Sequence, residues 1–178
     1  MKPTARLVGL LVLLFAVVAH PVHAQGPLPD PKLTPGAVNP DVTQQTIGTT
    51  ICVRGWTRLV RPPESYTERL KREQIAEYGY SDRRLGDYEE DHLIPLELGG
   101  APTDPRNLWP EPHEAAGDWG SYAKDRLESR LNDLVCSGAL SLDTARAAIA
   151  SNWMDAYRRY IGPVPDNRPL HYDRYNRR

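Results

Sequence analysis

Cysteine is scarce in this chain: two occur among 178 residues, Cys52 and Cys136. So low a count excludes a disulfide-dense scaffold. With no C-x-x-C pair, a structural zinc site, which needs clustered ligands, is the weaker alternative. Two cysteines in an oxidising compartment are expected to pair, and closing a loop of about 85 residues would contribute on the order of 4 kcal/mol in the chain-entropy model. A basic excess is also missing, with 22 Lys and Arg against 23 Asp and Glu. Nucleic-acid binders usually carry one, so any phosphate contact has to come from local clusters. The candidates are Arg54, Arg58 and Arg61; Arg69, Lys71 and Arg72; and Arg168, Arg174, Arg177 and Arg178. Such clusters are more often solvated faces than binding sites. Internal repeats are absent, and the longest apolar run, Leu7 to Ala19, falls short of the roughly 20 residues that span a bilayer.

That run follows Lys2 and Arg6 and precedes the small-residue stretch Val22-His23-Ala24. The order is that of a secretory signal peptide over residues 1–24, cut after Ala24; the rival reading, a membrane anchor, is too short. The expected location is secreted or periplasmic, with no stable membrane insertion after cleavage. Loss of Lys2 and Arg6 would leave a net charge of about −3 and a chain of about 154 residues, enough for one domain. Residues 25–40 hold Pro27, Pro29, Pro31, Pro35 and Pro40 and read as an extended, flexible leader. The domain itself is expected over 41–163, followed by an Arg-rich tail over 164–178 that is expected to fray.

Within the domain, Thr46 to Val60 is rich in Thr, Ile, Val and Trp and suggests a strand or two. Ser65-Tyr66-Thr67-Glu68 fits a capping box and opens a helix from about 65 to 78, which Gly79 stops. Tyr88 to Leu98 reads as strand and then loop, and Asn107-Leu108-Trp109 as a short second strand. Ser121 to about Val135 presents Leu127, Leu131, Leu134 and Val135 at helical spacing, and Ser141 opens a last helix that Gly162-Pro163 ends. Of Trp56, Trp109, Trp119 and Trp153, any can stack on a base, but the core is the commoner place, and Trp153 sits in an apolar helical stripe. These elements make an α+β domain: a hairpin and helix with two further helices packed around them.

The stretch Asp91-His92-Leu93-Ile94-Pro95-Leu96-Glu97-Leu98-Gly99-Gly100, with Asn107-Leu108 downstream, carries the chemistry. Hydrolysing a phosphodiester at neutral pH needs a base for water, a cation to offset charge on the phosphate, and a scaffold holding both in line. Histidine suits the first task, with an ordinary pKa of about 6.5. An adjacent aspartate projects to the other side of an extended strand and can hold the cation. Gly99-Gly100 permits a sharp turn, and Asn107 can bond back across it to fix the orientation of His92. Taken alone, an Asp-His pair is usually a surface or capping arrangement; the surrounding offsets raise its interest.

These residues resemble the ββα-metal motif of HNH endonucleases. The likeness extends to Tyr88-Glu89, Pro95 to Gly100, Asn107 to Pro112, Lys124-Asp125 and Leu134 to Gly138, and upstream to Thr50-Ile51-Cys52, Gly55-Trp56-Thr57 and Arg61-Pro62-Pro63. In this it is similar to a group of small exported bacterial HNH-like proteins, over roughly residues 39 to 162. The resemblance implies His92 as general base, Asp91 as metal ligand and Asn107 as the orienting residue, acting on DNA or RNA. The family's further ligand, on the helix after the second strand, has no plain counterpart. His113 and Asp118 are the nearest candidates, and Lys124 is a candidate phosphate contact. The implied cofactor is one divalent cation, Mg²⁺ for an oxygen-rich site, with Mn²⁺ or Zn²⁺ as substitutes. Two other readings stay open: a catalytically inactive binding protein that keeps the scaffold, and an exported hydrolase of a smaller phosphoester.

Overall fold

The computed structural model describes residues 26–169; the expected signal segment and residues 170–178 of the tail lie outside it. It is a small α+β domain, a two-stranded antiparallel hairpin packed against helices. In chain order the elements are α1 (Trp56–Val60), α2 (Glu64–Glu77), β1 (Tyr88–His92), β2 (Leu108–Pro112), α3 (Ser121–Cys136) and α4 (Leu142–Tyr160). Tyr88 pairs with Pro112 and His92 with Leu108, so the Asp91-His92 end of β1 lies where the loop to β2 begins. Among the described residues no helix is long and apolar enough to cross a membrane.

Thr46 to Val60 is not strand. It folds into the short 3-10 turn Ile47–Thr49 and then α1. Threonine hydroxyls explain the difference, because they offer the backbone local partners that compete with a sheet. Thr46 Oγ1 donates to the Asp41 carbonyl at 2.8 Å, and Thr50 Oγ1 to that of Thr46 at 2.8 Å. The turn brings Cys52 to the end of α3, where it forms the expected disulfide with Cys136, Cα atoms 5.6 Å apart. Helix α2 begins one residue early: Pro63 takes the cap position in extended conformation, and no side chain caps the helix, so Ser65 lies inside the first turn. Ser141 does cap α4, its hydroxyl accepting from Thr144 N–H. That helix breaks at Asn152, whose backbone is extended and whose Oδ1 accepts from Met154 and Asp155 N–H to restart the turn.

Among the described residues, two apolar clusters form the core. The larger one joins α3 and α4 through Leu127, Leu131, Val135, Leu142, Ala145, Ile149 and Trp153, with Trp119 edge-on to Trp153. Trp153 is a core residue, as its position in the helical stripe suggested. The smaller cluster is aromatic, with Tyr78, Tyr80, Tyr88 and Trp109 between α2 and the hairpin, and Tyr80 stacked on Tyr88. The proline-rich stretch is extended but not loose. The Pro27 carbonyl accepts from Trp153 Nε1, Thr34 is buried against the Tyr78 hydroxyl, and Ala37 and Asn39 bond to Ala101 and Gly99. Every one of these contacts uses the backbone or a small side chain, which composition does not reveal. The start of the tail also packs back: Arg126 pairs with Asp166, and Asn167 Nδ2 donates to the His113 carbonyl.

Candidate functional site

The β1–β2 loop is shaped by Asn107. Its Nδ2 donates to the carbonyls of Ile94 (3.0 Å) and Ala101 (3.2 Å), and its Oδ1 accepts from Ile94 N–H (3.0 Å) and Ala37 N–H (3.3 Å). All four groups would otherwise be left short of partners, and Asn107 is fully buried among them. Gly100 lets the amide sit there, since a Cβ at this position would fall 1.7 Å from the Ile94 carbonyl oxygen and 2.7 Å from Asn107 Nδ2. Gly99 turns the chain at φ +70°, in the left-handed region open to glycine. Asn107 thus bonds the loop as expected. It does not touch the His92 ring.

The ring is held instead by the loop that Asn107 shapes. His92 Nε2 donates to the Pro102 carbonyl at 2.9 Å, which leaves Nδ1 as the acceptor nitrogen of the neutral ring. The side chain is only 4% exposed. Burial lowers its pKa, against the opposing pull of Asp91 and of the Pro102 hydrogen bond, so the ring is neutral at pH 7.

Asp91 points the other way, to α3, and there it meets Lys124. The Lys124 ammonium is completely buried; its Nζ lies 2.5 Å from Asp91 Oδ2, 2.5 Å from Glu128 Oε1 and 2.8 Å from the His92 carbonyl. An ammonium has three protons, and these three acceptors use them all. Glu111, from β2, stands 4.0 Å from Nζ with its side chain 1% exposed, and no donor reaches either of its oxygens. A carboxyl so placed can still be satisfied by keeping its proton and donating to Asp91. Burial accordingly raises the pKa of Glu111 well above the usual range, and that of Glu128 too. Asp91 goes the opposite way: burial would raise it, but the Lys124 charge and the hydrogen bonds from Glu111 and Lys124 hold it below the usual carboxylate range. Lys124 is pushed well above its ordinary value, because the three carboxyls outweigh the cost of burying its charge.

The expected roles are therefore redistributed. Lys124, read from sequence as a phosphate contact, is sealed under the hairpin and cannot touch a ligand in solvent. His113 pairs its Nδ1 with Ser121 Oγ at 2.7 Å and stacks its ring on Tyr122, and it lines the same groove as His92. Asp118 is exposed at φ +62° in the connection before α3. Among the described residues no group of three or more His, Cys, Asp or Glu is placed to hold a metal. A divalent cation does not fit the site as built, because the point where Asp91, Glu111 and Glu128 converge is filled by Lys124 Nζ.

Sequence reasoning missed Glu111 and Glu128. A signal was present: Lys124 and Glu128 fall on the same helical stripe as Leu127, Leu131 and Val135, the stripe that packs inward.

A groove of about 740 Å³ opens beside this cluster, between α1 and α2 on one side and β1 and the end of α3 on the other. His92 lines it, as do Arg54, Arg58, Arg61 and Lys71. Those four basic residues face six acidic ones: Glu64, Glu68, Glu89, Glu90, Glu97 and Asp133. Lys71 is already engaged by Glu68 and by the Tyr88 carbonyl. Both oxygens of Glu90 are buried without a hydrogen-bond partner, and burial pushes its carboxyl up to about 9.

Comparison of the chain with models of protein families, with curated proteins and with solved structures returns no match.

Proposed function

We propose that this chain is an exported binding protein built on an HNH-type ββα scaffold, with the cation position of that scaffold filled by its own lysine. One observation carries the reading: the ammonium of Lys124 sits among Asp91, Glu128 and the His92 carbonyl at hydrogen-bonding distance, fully buried. A metal-dependent hydrolase needs its carboxylates open to an ion and its ion open to the substrate. Here the carboxylates are committed to a charge that cannot leave without uncovering them. The groove beside the cluster is the ligand site of this reading. Its walls carry both signs of charge, with acid in excess, which suits a polypeptide segment bearing mixed charge better than a polyphosphate backbone. Export is part of the proposal and is supported by the segment ahead of Ala24 and by the disulfide.

A second reading, an active nuclease acting on DNA or RNA, is favoured by one specific feature. The His92–Pro102 hydrogen bond fixes the tautomer that leaves Nδ1 able to take a proton, and His92 borders the groove. Digestion of plasmid and of RNA by the purified protein, with Mg²⁺, Mn²⁺ or Zn²⁺ and beside His92→Ala, separates the two. The binding reading expects no metal-dependent cleavage above the variant's background. Cleavage that needs metal and disappears with His92→Ala would overturn it in favour of the nuclease.

A further inference from the structure

We infer that the open edge of β1 takes up an extended polypeptide segment as a third, antiparallel strand, with a lysine or arginine of that segment set opposite Glu90. This rests on the reading of the groove as a polypeptide site and states how the segment is held. The register of the hairpin decides which backbone groups are left over. Leu93 N–H donates to the Asn107 carbonyl at 2.8 Å and His113 N–H to that of Asp87 at 2.9 Å, so the odd-numbered residues of β1 are the ones bonded to β2. In an antiparallel pair such positions alternate with ones whose N–H and C=O point outward, here Tyr88, Glu90 and His92. Tyr88 is occupied, its N–H by the Leu85 carbonyl and its own carbonyl by Lys71 Nζ. The His92 carbonyl is held by Lys124. Among the described residues, no hydrogen bond reaches the Glu90 N–H, the Glu90 carbonyl or the His92 N–H.

The two edges of the hairpin differ. On β2 the outward positions are Leu108, Pro110 and Pro112. The Leu108 carbonyl already accepts from Thr34 and Gln74, and a proline has no N–H to offer a further strand. That edge is closed. On β1 the unused groups belong to residues that line the groove, Glu90 and His92. An antiparallel strand laid there exchanges two bonds with Glu90 and accepts a third from His92 N–H. The residue paired with Glu90 puts its side chain on the same face, with Cβ atoms about 5 Å apart. Both carboxyl oxygens of Glu90 are buried without a hydrogen-bond partner among the described residues. The groove also carries six acidic residues against four basic ones. A basic side chain at the paired position supplies the donors that Glu90 lacks and offsets the excess charge.

The probe is a displayed library of short random peptides, about nine residues long, panned against the purified protein. The selected peptides are expected to carry Lys or Arg among β-branched or aromatic neighbours, and to protect the Glu90 and His92 N–H groups from hydrogen exchange. Glu90→Pro removes the outward N–H without touching a bond to β2, and should weaken these peptides at least about tenfold. Glu90→Gln should keep the binding and erase the preference for a basic residue. Should Glu90→Pro fail to fold, the exchange measurement on wild type decides alone. Peptides lost with Arg58→Glu, and so bound in the groove, that leave both amides unprotected would overturn the inference while the proposed function stands. A preference for Asp or Glu at the paired position would overturn it as well. A library that yields no peptide bound in the groove would instead overturn the reading on which the inference rests.

Discussion

The hairpin meets its two neighbours by opposite means. Toward α2 it packs aromatic rings, Tyr88 and Trp109 against Tyr78 and Tyr80. Toward α3 it packs charge, Asp91 and Glu111 against Lys124 and Glu128. Dispersion and area set the strength of the first contact, so it falls gradually as atoms are removed. A count of protons and acceptors sets the strength of the second, so it fails when one partner is lost. The aromatic side can drift in sequence and still fold. The charged side is a fixed arithmetic.

The sharpest way to break the contrast is Lys124→Met, which keeps length and apolar bulk but removes the charge. It leaves three carboxyls buried without a cation, and the expected loss is about 3–5 kcal/mol by urea denaturation. A loss under about 1 kcal/mol would mean that the cluster is wet and loosely held. On the aromatic side, Tyr80→Leu removes the stacking partner of Tyr88 but keeps an apolar side chain, and is expected to cost about 1–2 kcal/mol. If it cost more than Lys124→Met, the proposed ranking of the two contacts would be reversed.

The effect that depends on pH belongs to Glu90, on the groove. Its carboxyl is pushed up from 4.5 to about 9. A raised folded-state value means that the folded protein keeps a proton which the unfolded chain releases. The stabilisation is fully present below about pH 4.5 and erodes as pH climbs toward 9. Glu90→Gln should therefore leave stability near pH 4 unchanged, flatten its decline above that, and raise stability at pH 8 by on the order of a few kcal/mol. An unchanged pH profile would show that Glu90 is ionised in the folded state.

The contrast also explains what could be read in advance. The hairpin, its closing loop and α3 follow from local signals: Gly99-Gly100, the Asn107 amide and the Leu127–Leu131 spacing each act within a few residues of themselves. Thr46 to Val60 misled because β-branched composition also suits turns in which hydroxyls bond to carbonyls. The helical arm positions Arg54, Arg58 and Arg61 on the groove, a fact that composition does not carry. Lys124 misled for a deeper reason. A lysine on a helix is usually at the surface, and its burial here depends on carboxyls from β1, β2 and one turn further along α3. Glu111 offered the fairest warning, standing between Pro110 and Pro112 in a strand whose residues are all buried.

The central claim is that the cation of this scaffold is Lys124 and not a metal. Its most direct test is a crystal of the wild-type protein soaked in Mn²⁺ and measured at the manganese absorption edge. We expect no anomalous peak among Asp91, Glu111 and Glu128, with the Lys124 ammonium in density between them. A peak there, with Lys124 turned out into solvent, would contradict the claim and return the site to metal chemistry.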